Sequence, residues 1–144
     1  MFKHILIPTD GSLRSEATAM RAIEMAKALG AAVTGMVAVE VEAAPPLAGF
    51  FPETMASVRQ DVERDANDRL RFIADAARAA GVPYAPCIKW NVSPYEAIIT
   101  TALEQGCDLI FMASHGRRGL SALLLGSETH KVLTHSKIPV LVYR

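Results

Sequence analysis

Asp108-Leu109-Ile110-Phe111-Met112-Ala113 carries a single charge followed by five apolar side chains. A strand with one face in water alternates apolar and polar residues. A run without alternation is expected of a strand covered on both faces, as in a parallel sheet with helices on either side. The flanking segments fit that frame. Upstream, Ser93-Pro94-Tyr95-Glu96 reads as a helix start, with Ser93 as N-cap, Pro94 at the first helical position and Glu96 closing a capping box. That helix is predicted to run to about Gln105, with Gly106 after it. Downstream, a final helix is predicted from near Ser127 and a fifth strand over Ile138–Tyr143.

The same alternation extends to the start of the chain. Ile5–Pro8 is a short run rich in β-branched residues, closed by a proline. Leu13, Ala17, Met20, Ile23 and Ala26 recur at helical steps, and Gly30 stands where a C-cap is expected. Ala32–Val39 is a second strand. Met55, Val58, Val62, Ala66, Leu70, Ile73, Ala77 and Ala80 mark the apolar stripe of a long helix ended by Gly81. Its other face carries mixed charges, in which Asp61 and Asp65 repel while Asp65 and Arg69 attract, and reads as solvated. Val82–Trp90 is a third strand. Five strands alternating with helices predict an α/β fold of one domain over residues 1–144. The expected architecture is a five-stranded parallel sheet with helices on both faces, a Rossmann-like open sandwich built by right-handed crossovers. Glu42–Pro52, with three prolines and two adjacent phenylalanines, reads either as a mobile flap or as an apolar patch that packs down.

Composition bounds the function. The chain has 144 residues, 51% of them hydrophobic, and its 15 Lys+Arg balance 15 Asp+Glu. Such a chain builds a core without staples, and neutrality removes the broad electrostatic motive for binding nucleic acid or an anionic membrane. The apolar start is too short for a signal peptide, no window approaches the roughly 18–20 apolar residues of a membrane span, and a cytoplasmic location is expected. Cys87 and Cys107 form no CxxC and have no histidine at metal-ligand spacing, so two reduced thiols are expected. His130 and His135, five apart, face different ways, which argues against a shared metal, and His4 reads as a strand-edge residue.

Ligands of open α/β sheets bind beyond the carboxyl ends of strands, where strand order reverses. Two such ends draw attention. In Pro8-Thr9-Asp10-Gly11-Ser12 the proline stops the strand, the glycine permits a sharp turn and Ser12 can cap the helix. Asp10 either caps that turn or accepts hydrogen bonds from a ligand. The second is Ala113-Ser114-His115-Gly116-Arg117-Arg118-Gly119, continuing to Gly126-Ser127. Its glycines admit a ligand to the backbone, its arginines are cationic, and bare amides at the helix start make a seat for phosphate. One site needs the first and fourth strands side by side, as in the order 3-2-1-4-5. GxxxxGK[ST], GxGxxG and GxSxG are all absent.

These residues resemble the universal stress protein family, in its single-domain, nucleotide-binding subgroup. The resemblance spans Lys3–Ser12, Asp108–Gly116, Gly126-Ser127 and Ile138–Val142. The family's ATP signature, G-x2-G-x9-G-[S/T], is matched by Gly116, the nine residues Arg117–Leu125 and Gly126-Ser127, with Ala113 in place of the first glycine. Glu128 is a second departure, where a carboxylate suits the helix dipole but repels phosphate unless Arg117, Arg118 or a divalent cation compensates. The resemblance implies an ATP-binding stress-response module that senses more than it catalyses. Asp10 would meet the ribose or an adenine-side group, with Pro8 and Thr9 as the wall beside it. Val39, Met112 and Ala113 would line the base pocket. His115, Gly116, Arg117, Gly126, Ser127, Glu128 and Thr129 would surround the phosphates, with Mg²⁺ bridging them. It further implies a homodimer through Ile138–Tyr143. Two other readings remain at this level: a slow ATP hydrolase, with Asp10 or His115 orienting water, and a nucleotide-free interaction module.

Overall fold

The computed structural model describes residues 1–40, 52–91, 93–116 and 125–144, with 52–55 described as backbone alone. The elements are β1 (His4–Pro8), α1 (Leu13–Leu29), β2 (Ala32–Glu40), α2 (Pro52–Ala80), β3 (Tyr84–Asn91), α3 (Pro94–Glu104), β4 (Leu109–Ala113), α4 (Ser127–His135) and β5 (Val140–Tyr143). The five strands pair in parallel in the order β3-β2-β1-β4-β5, as expected. The Glu42–Pro52 reading lies outside the described residues, save that Pro52 opens α2, where its missing N–H costs no helical hydrogen bond.

Two cores sandwich the sheet. On one face Ile5, Ile7, Val33 and Phe111 pack against Ala19, Ala22, Ile23 and Ala26 of α1 and against Ile73 and Ala77 of α2. On the other, Leu6, Met36, Ile110 and Met112 meet Ala97, Ile98 and Ala102 of α3 and Val132 of α4. All five residues of β4 are buried, which accounts for its unbroken apolar run. At Gly35 a Cβ would lie 2.9 Å from Tyr84 Cε2 and 3.3 Å from Ile73 Cδ1, so a bare backbone lets α2 lie close to β2.

Several boundaries moved, each for a local reason. α1 is rotated from the predicted stripe: Leu13 is 85% exposed and Met20 42%, while Ser15, Thr18, Ala19 and Ala22 face inward. The inward hydroxyls are already satisfied. Ser15 Oγ donates to the Ser12 carbonyl at 2.9 Å, and Thr18 Oγ1 donates to the Arg14 carbonyl at 2.8 Å. Polar residues can therefore take the inner face, where their small volume admits the sheet. Val58, predicted on the stripe of α2, is 51% exposed, whereas Ala66 and Leu70 pack on Val37. β3 starts at Tyr84 because Val82 closes the end of α2, its amide donating to the Ala77 carbonyl at 2.9 Å beside Gly81 at φ +70°. β5 starts at Val140, since Pro139 has no amide and Ile138 is held in a turn with Ser136. The capping box at Ser93 does not form: the Ser93 side chain makes no capping bond, and Glu96 accepts from the Tyr95 hydroxyl at 3.0 Å. His4 opens the central strand and sits 2.8 Å from Thr34 Oγ1. Both cysteines are free thiols, and burial pushes Cys107 up to about 11 despite a hydrogen bond from Thr34.

Asp108 ties the entrance of β4 to that of β1. Its carboxylate accepts the amides of Lys3 at 2.8 Å and His4 at 3.0 Å. Partial desolvation raises its pKa, but those amides outweigh it and the group lies below the ordinary 3.8. A carboxylate with a lowered folded-state pKa stabilises fully above its unfolded value and loses that contribution as pH falls through the folded value. Asp108→Ala is expected to cost about 1 kcal/mol at pH 7, roughly 3 °C in Tm. Thermal melts from pH 7 to 3 should show the difference shrinking below about pH 4, and a constant difference would contradict this role.

Candidate functional site

The chain leaves β1 toward β2 and β3 on one side and returns through β4 and β5 on the other. The helices that follow β1 and β4, α1 and α4, pack on opposite faces of the sheet, an arrangement that leaves a crevice between the ends of those strands. A cleft of about 660 Å³ opens there. Twelve of the thirteen predicted site residues line it: Pro8, Thr9, Asp10, Val39, Met112, Ala113, His115, Gly116, Gly126, Ser127, Glu128 and Thr129. Arg117 lies outside the described residues, as does Arg118.

The β1 side is rigidly built. The Thr9 amide donates to the Met36 carbonyl at 2.8 Å, continuing the ladder one residue past the strand. Thr9 Oγ1 is 2.9 Å from Ser15 Oγ and accepts the Gly11 amide at 3.1 Å, so this hydroxyl organises the turn. Asp10 Oδ1 accepts the Ser12 amide at 3.0 Å, across a turn in which Gly11 adopts φ +74°. Ser12 then caps α1 by accepting the Ser15 amide at 3.2 Å. The other oxygen of Asp10 faces the β4 side, where a Cβ on Gly116 would lie 2.6 Å from Oδ2. The two loops predicted to share a crevice thus meet across this glycine.

On the β4 side, His115 is buried and its Nδ1 lies 3.0 Å from Arg14 Nη1 and 3.1 Å from Ser114 Oγ. A guanidinium only donates, so Nδ1 accepts and the ring proton sits on Nε2. Strand and helix are then locked together. The Gly126 amide donates to the Ser114 carbonyl at 2.8 Å, and Thr129 Oγ1 donates to the Ala113 carbonyl at 3.1 Å. Gly126 is the N-cap of α4, so the first-turn amides of that helix open at the cleft without intrahelical acceptors.

Glu128, the acid expected to trouble an anion, has both oxygens engaged. Oε2 accepts the Tyr95 amide in the first turn of α3 at 2.8 Å, and Oε1 lies 2.8 Å from Lys131 Nζ. Its hydrogen bond holds the Lys131 ammonium above its ordinary pKa. A residue of α4 thereby supplies the cap of α3 that Ser93 does not. Compensation comes from Lys131 and a helix N-terminus, groups that sequence spacing alone did not single out.

Sequence reading missed one wall altogether. Val62, Asp65, Ala66 and Arg69 of α2 line the cleft, together with Ser15, Val37, Ala38 and Glu40. Asp65 and Arg69 are an ion pair, as their spacing suggested, but they stand at the cleft and not on a purely solvated face. Their i, i+4 spacing looks the same in either place, so only the tertiary position of α2 distinguishes them.

Comparison with known proteins agrees with this architecture. The profile of the Universal stress protein family matches residues 1–144. A Thermus aquaticus relative, "Universal stress protein in QAH/OAS sulfhydrylase 3'region", is 34% identical over 146 residues and covers 100% of both chains. The solved structure of MJ0577, a protein of Methanocaldococcus jannaschii, superposes with a TM-score of 0.79 at 27% identity, covering 99% of this chain and 95% of that one. A universal stress protein in complex with cAMP superposes at 0.71 with 24% identity, covering 99% and 97%, and this likeness speaks to the fold. A doubly covered five-stranded sheet, a cleft at its reversal point and a family match along the whole chain lead to one assignment: this chain belongs to the universal stress protein family.

Proposed function

We propose that the chain is a stress-response module that binds an adenine nucleotide, ATP foremost, in the cleft between β1 and β4. The observation that carries this reading is the meeting of Asp10 with Gly116 beside the open N-terminus of α4, in a cleft of about 660 Å³. A helix N-terminus whose first-turn amides lack intrahelical acceptors favours phosphate oxygens. His115, whose Nδ1 faces Arg14 and Ser114, adds a donor at Nε2. Pro8, Val39, Met112 and Ala113 give an apolar surface for a base, and Asp10 an acceptor for ribose hydroxyls. A universal stress protein of related fold is in complex with cAMP, which supports an adenylate as the class of ligand. Among the described residues no group of three His, Cys, Asp or Glu side chains is placed to hold a metal. Mg²⁺ would accompany the phosphates of a bound triphosphate.

Binding is favoured over hydrolysis by the same geometry. The Nδ1 lone pair of His115 already faces Arg14 and Ser114, and Asp10 Oδ1 holds the Ser12 amide. The His115 lone pair is therefore not at hand to activate a water. We further infer a single-domain, cytoplasmic protein that dimerises through the edge strand β5, beginning at Val140. Among the described residues no helix is long and apolar enough to cross a membrane.

Titration calorimetry with ATP and Mg²⁺ should show saturable binding, and protein denatured after purification should release nucleotide. No binding at millimolar ATP would remove the proposal. Gly116→Ala is expected to weaken ATP about tenfold, because its methyl displaces the Asp10 carboxylate, and tenfold is about 1.4 kcal/mol. Wild-type affinity in that variant would show that the Asp10–Gly116 approach does not shape the site.

A further inference from the structure

The turn after β1 does more than shape its own side of the cleft. Ser12 caps α1, and Thr9 Oγ1 lies 2.9 Å from Ser15 Oγ, so the first turn of that helix is fixed in place. Arg14 belongs to this turn and is exposed, yet its side chain reaches the β4 side. Its Nη1 lies 3.0 Å from Nδ1 of His115, a residue 101 positions further along the chain. His115 is 6% exposed and lines the cleft, whereas Arg14 does not line it. Any effect of the arginine on the cleft therefore passes through the imidazole.

A neutral imidazole carries its proton on either nitrogen, and the hydrogen bond at one decides what the other offers. Ser114 Oγ, 3.1 Å from Nδ1, does not decide, because a hydroxyl donates or accepts with equal ease. A guanidinium has donors only, so Arg14 makes Nδ1 the acceptor and sends the ring proton to Nε2. Among the described residues Nε2 makes no hydrogen bond, and it is not one of the buried atoms left without a partner, so it keeps surface of its own. Phosphate oxygens are acceptors. A ring with its proton on Nε2 complements them, and a ring with its lone pair there repels them.

We propose that Arg14 is a positioning residue: by donating to Nδ1 it holds His115 in the tautomer whose Nε2–H meets the phosphates. The ligand in this assignment rests on the nucleotide reading above, whereas the state of the ring is a property of the protein alone. Arg14 thus couples the start of α1 to the β4 side of the cleft without touching the ligand.

The test joins ¹⁵N NMR of histidine-labelled protein, in mildly alkaline buffer, to calorimetric titration with ATP and inorganic tripolyphosphate. Wild type, Arg14→Met and Arg14→Lys are compared, and the His115 signals are assigned by their loss in His115→Gln. Wild type should show an unprotonated Nδ1 and a protonated Nε2. In Arg14→Met, where Ser114 is the remaining partner, the two signals should move toward each other as both tautomers become populated. ATP and tripolyphosphate should each weaken about fivefold in that variant, the worth of one hydrogen bond. Arg14→Lys, whose ammonium also only donates, should keep the wild-type ring and recover most of the affinity. Circular dichroism should show all of them folded. A wild-type ring with its proton on Nδ1, or a ring unchanged in Arg14→Met, overturns the assignment while the nucleotide reading stands. A loss of affinity with the ring unchanged marks Arg14 as a distant charge and overturns it too, as does a changed ring with wild-type affinity. No binding of ATP by wild type overturns both readings. If Arg14→Met loses the fold, the wild-type tautomer and Arg14→Lys decide the matter.

Discussion

The central constraint is the parallel pairing of β1 with β4, strands separated by about a hundred residues and set side by side with the chain reversing between them. β1 hands the chain to α1 on one face and β4 hands it to α4 on the other, and a cleft opens between the strand ends. The cleft is therefore a consequence of topology before it is a matter of particular residues. Asp108 holds the opposite end of the same pair by gathering the amides of Lys3 and His4, at the entrance of the chain's first strand. One strand pair is thus tied below by a carboxylate and left open above.

What lines the opening follows from the accounting of polar groups. Short side chains satisfy the turn after β1 internally: Thr9 with Ser15 and Gly11, Asp10 with Ser12, Ser12 with Ser15. This network lets serine and threonine replace aliphatic residues on the inner face of α1 near its start, and fixes the backbone where a ligand would rest. On the β4 side the same task falls to main-chain bonds between Gly126 and Ser114 and to the hydroxyl of Thr129. Both walls are preorganised by bonds that do not involve a ligand, which lowers the ordering cost of binding one.

Much of this was legible in the sequence because the decisive features are local. An unbroken apolar run at β4, a proline closing β1 and glycines at two strand exits each have one dominant structural meaning. That β1 and β4 are neighbours followed from requiring two loops to share one site. The phase of α1 was not legible, since Leu13 and Met20 outrank Ser15 and Thr18 in hydrophobicity, and only hydroxyl bonds to the Ser12 and Arg14 carbonyls permit the inversion. The α2 wall was hidden for a different reason: an i, i+4 ion pair carries no mark of whether water or a cavity lies beyond it. The cap of α3 was misread because a Ser-x-x-Glu pattern describes one helix, whereas the group that fills the role comes from another.

That substitution explains how an acid can follow the Gly-Ser of an anion site. Glu128 sits in the first turn of α4, where the helix dipole favours a carboxylate, and it faces the N-terminus of α3 as well. Two positive helix ends and the Lys131 ammonium share its charge. Its oxygens point to Tyr95 and Lys131, and the Gly126 amide is held by the Ser114 carbonyl. Electrostatic repulsion depends on where charge resides and what already neutralises it, and here the carboxylate is committed to joining α3 to α4. An acidic residue beside a polyanion site is therefore compatible with binding, and it couples the orientation of α3 to the helix whose amides would hold the phosphates.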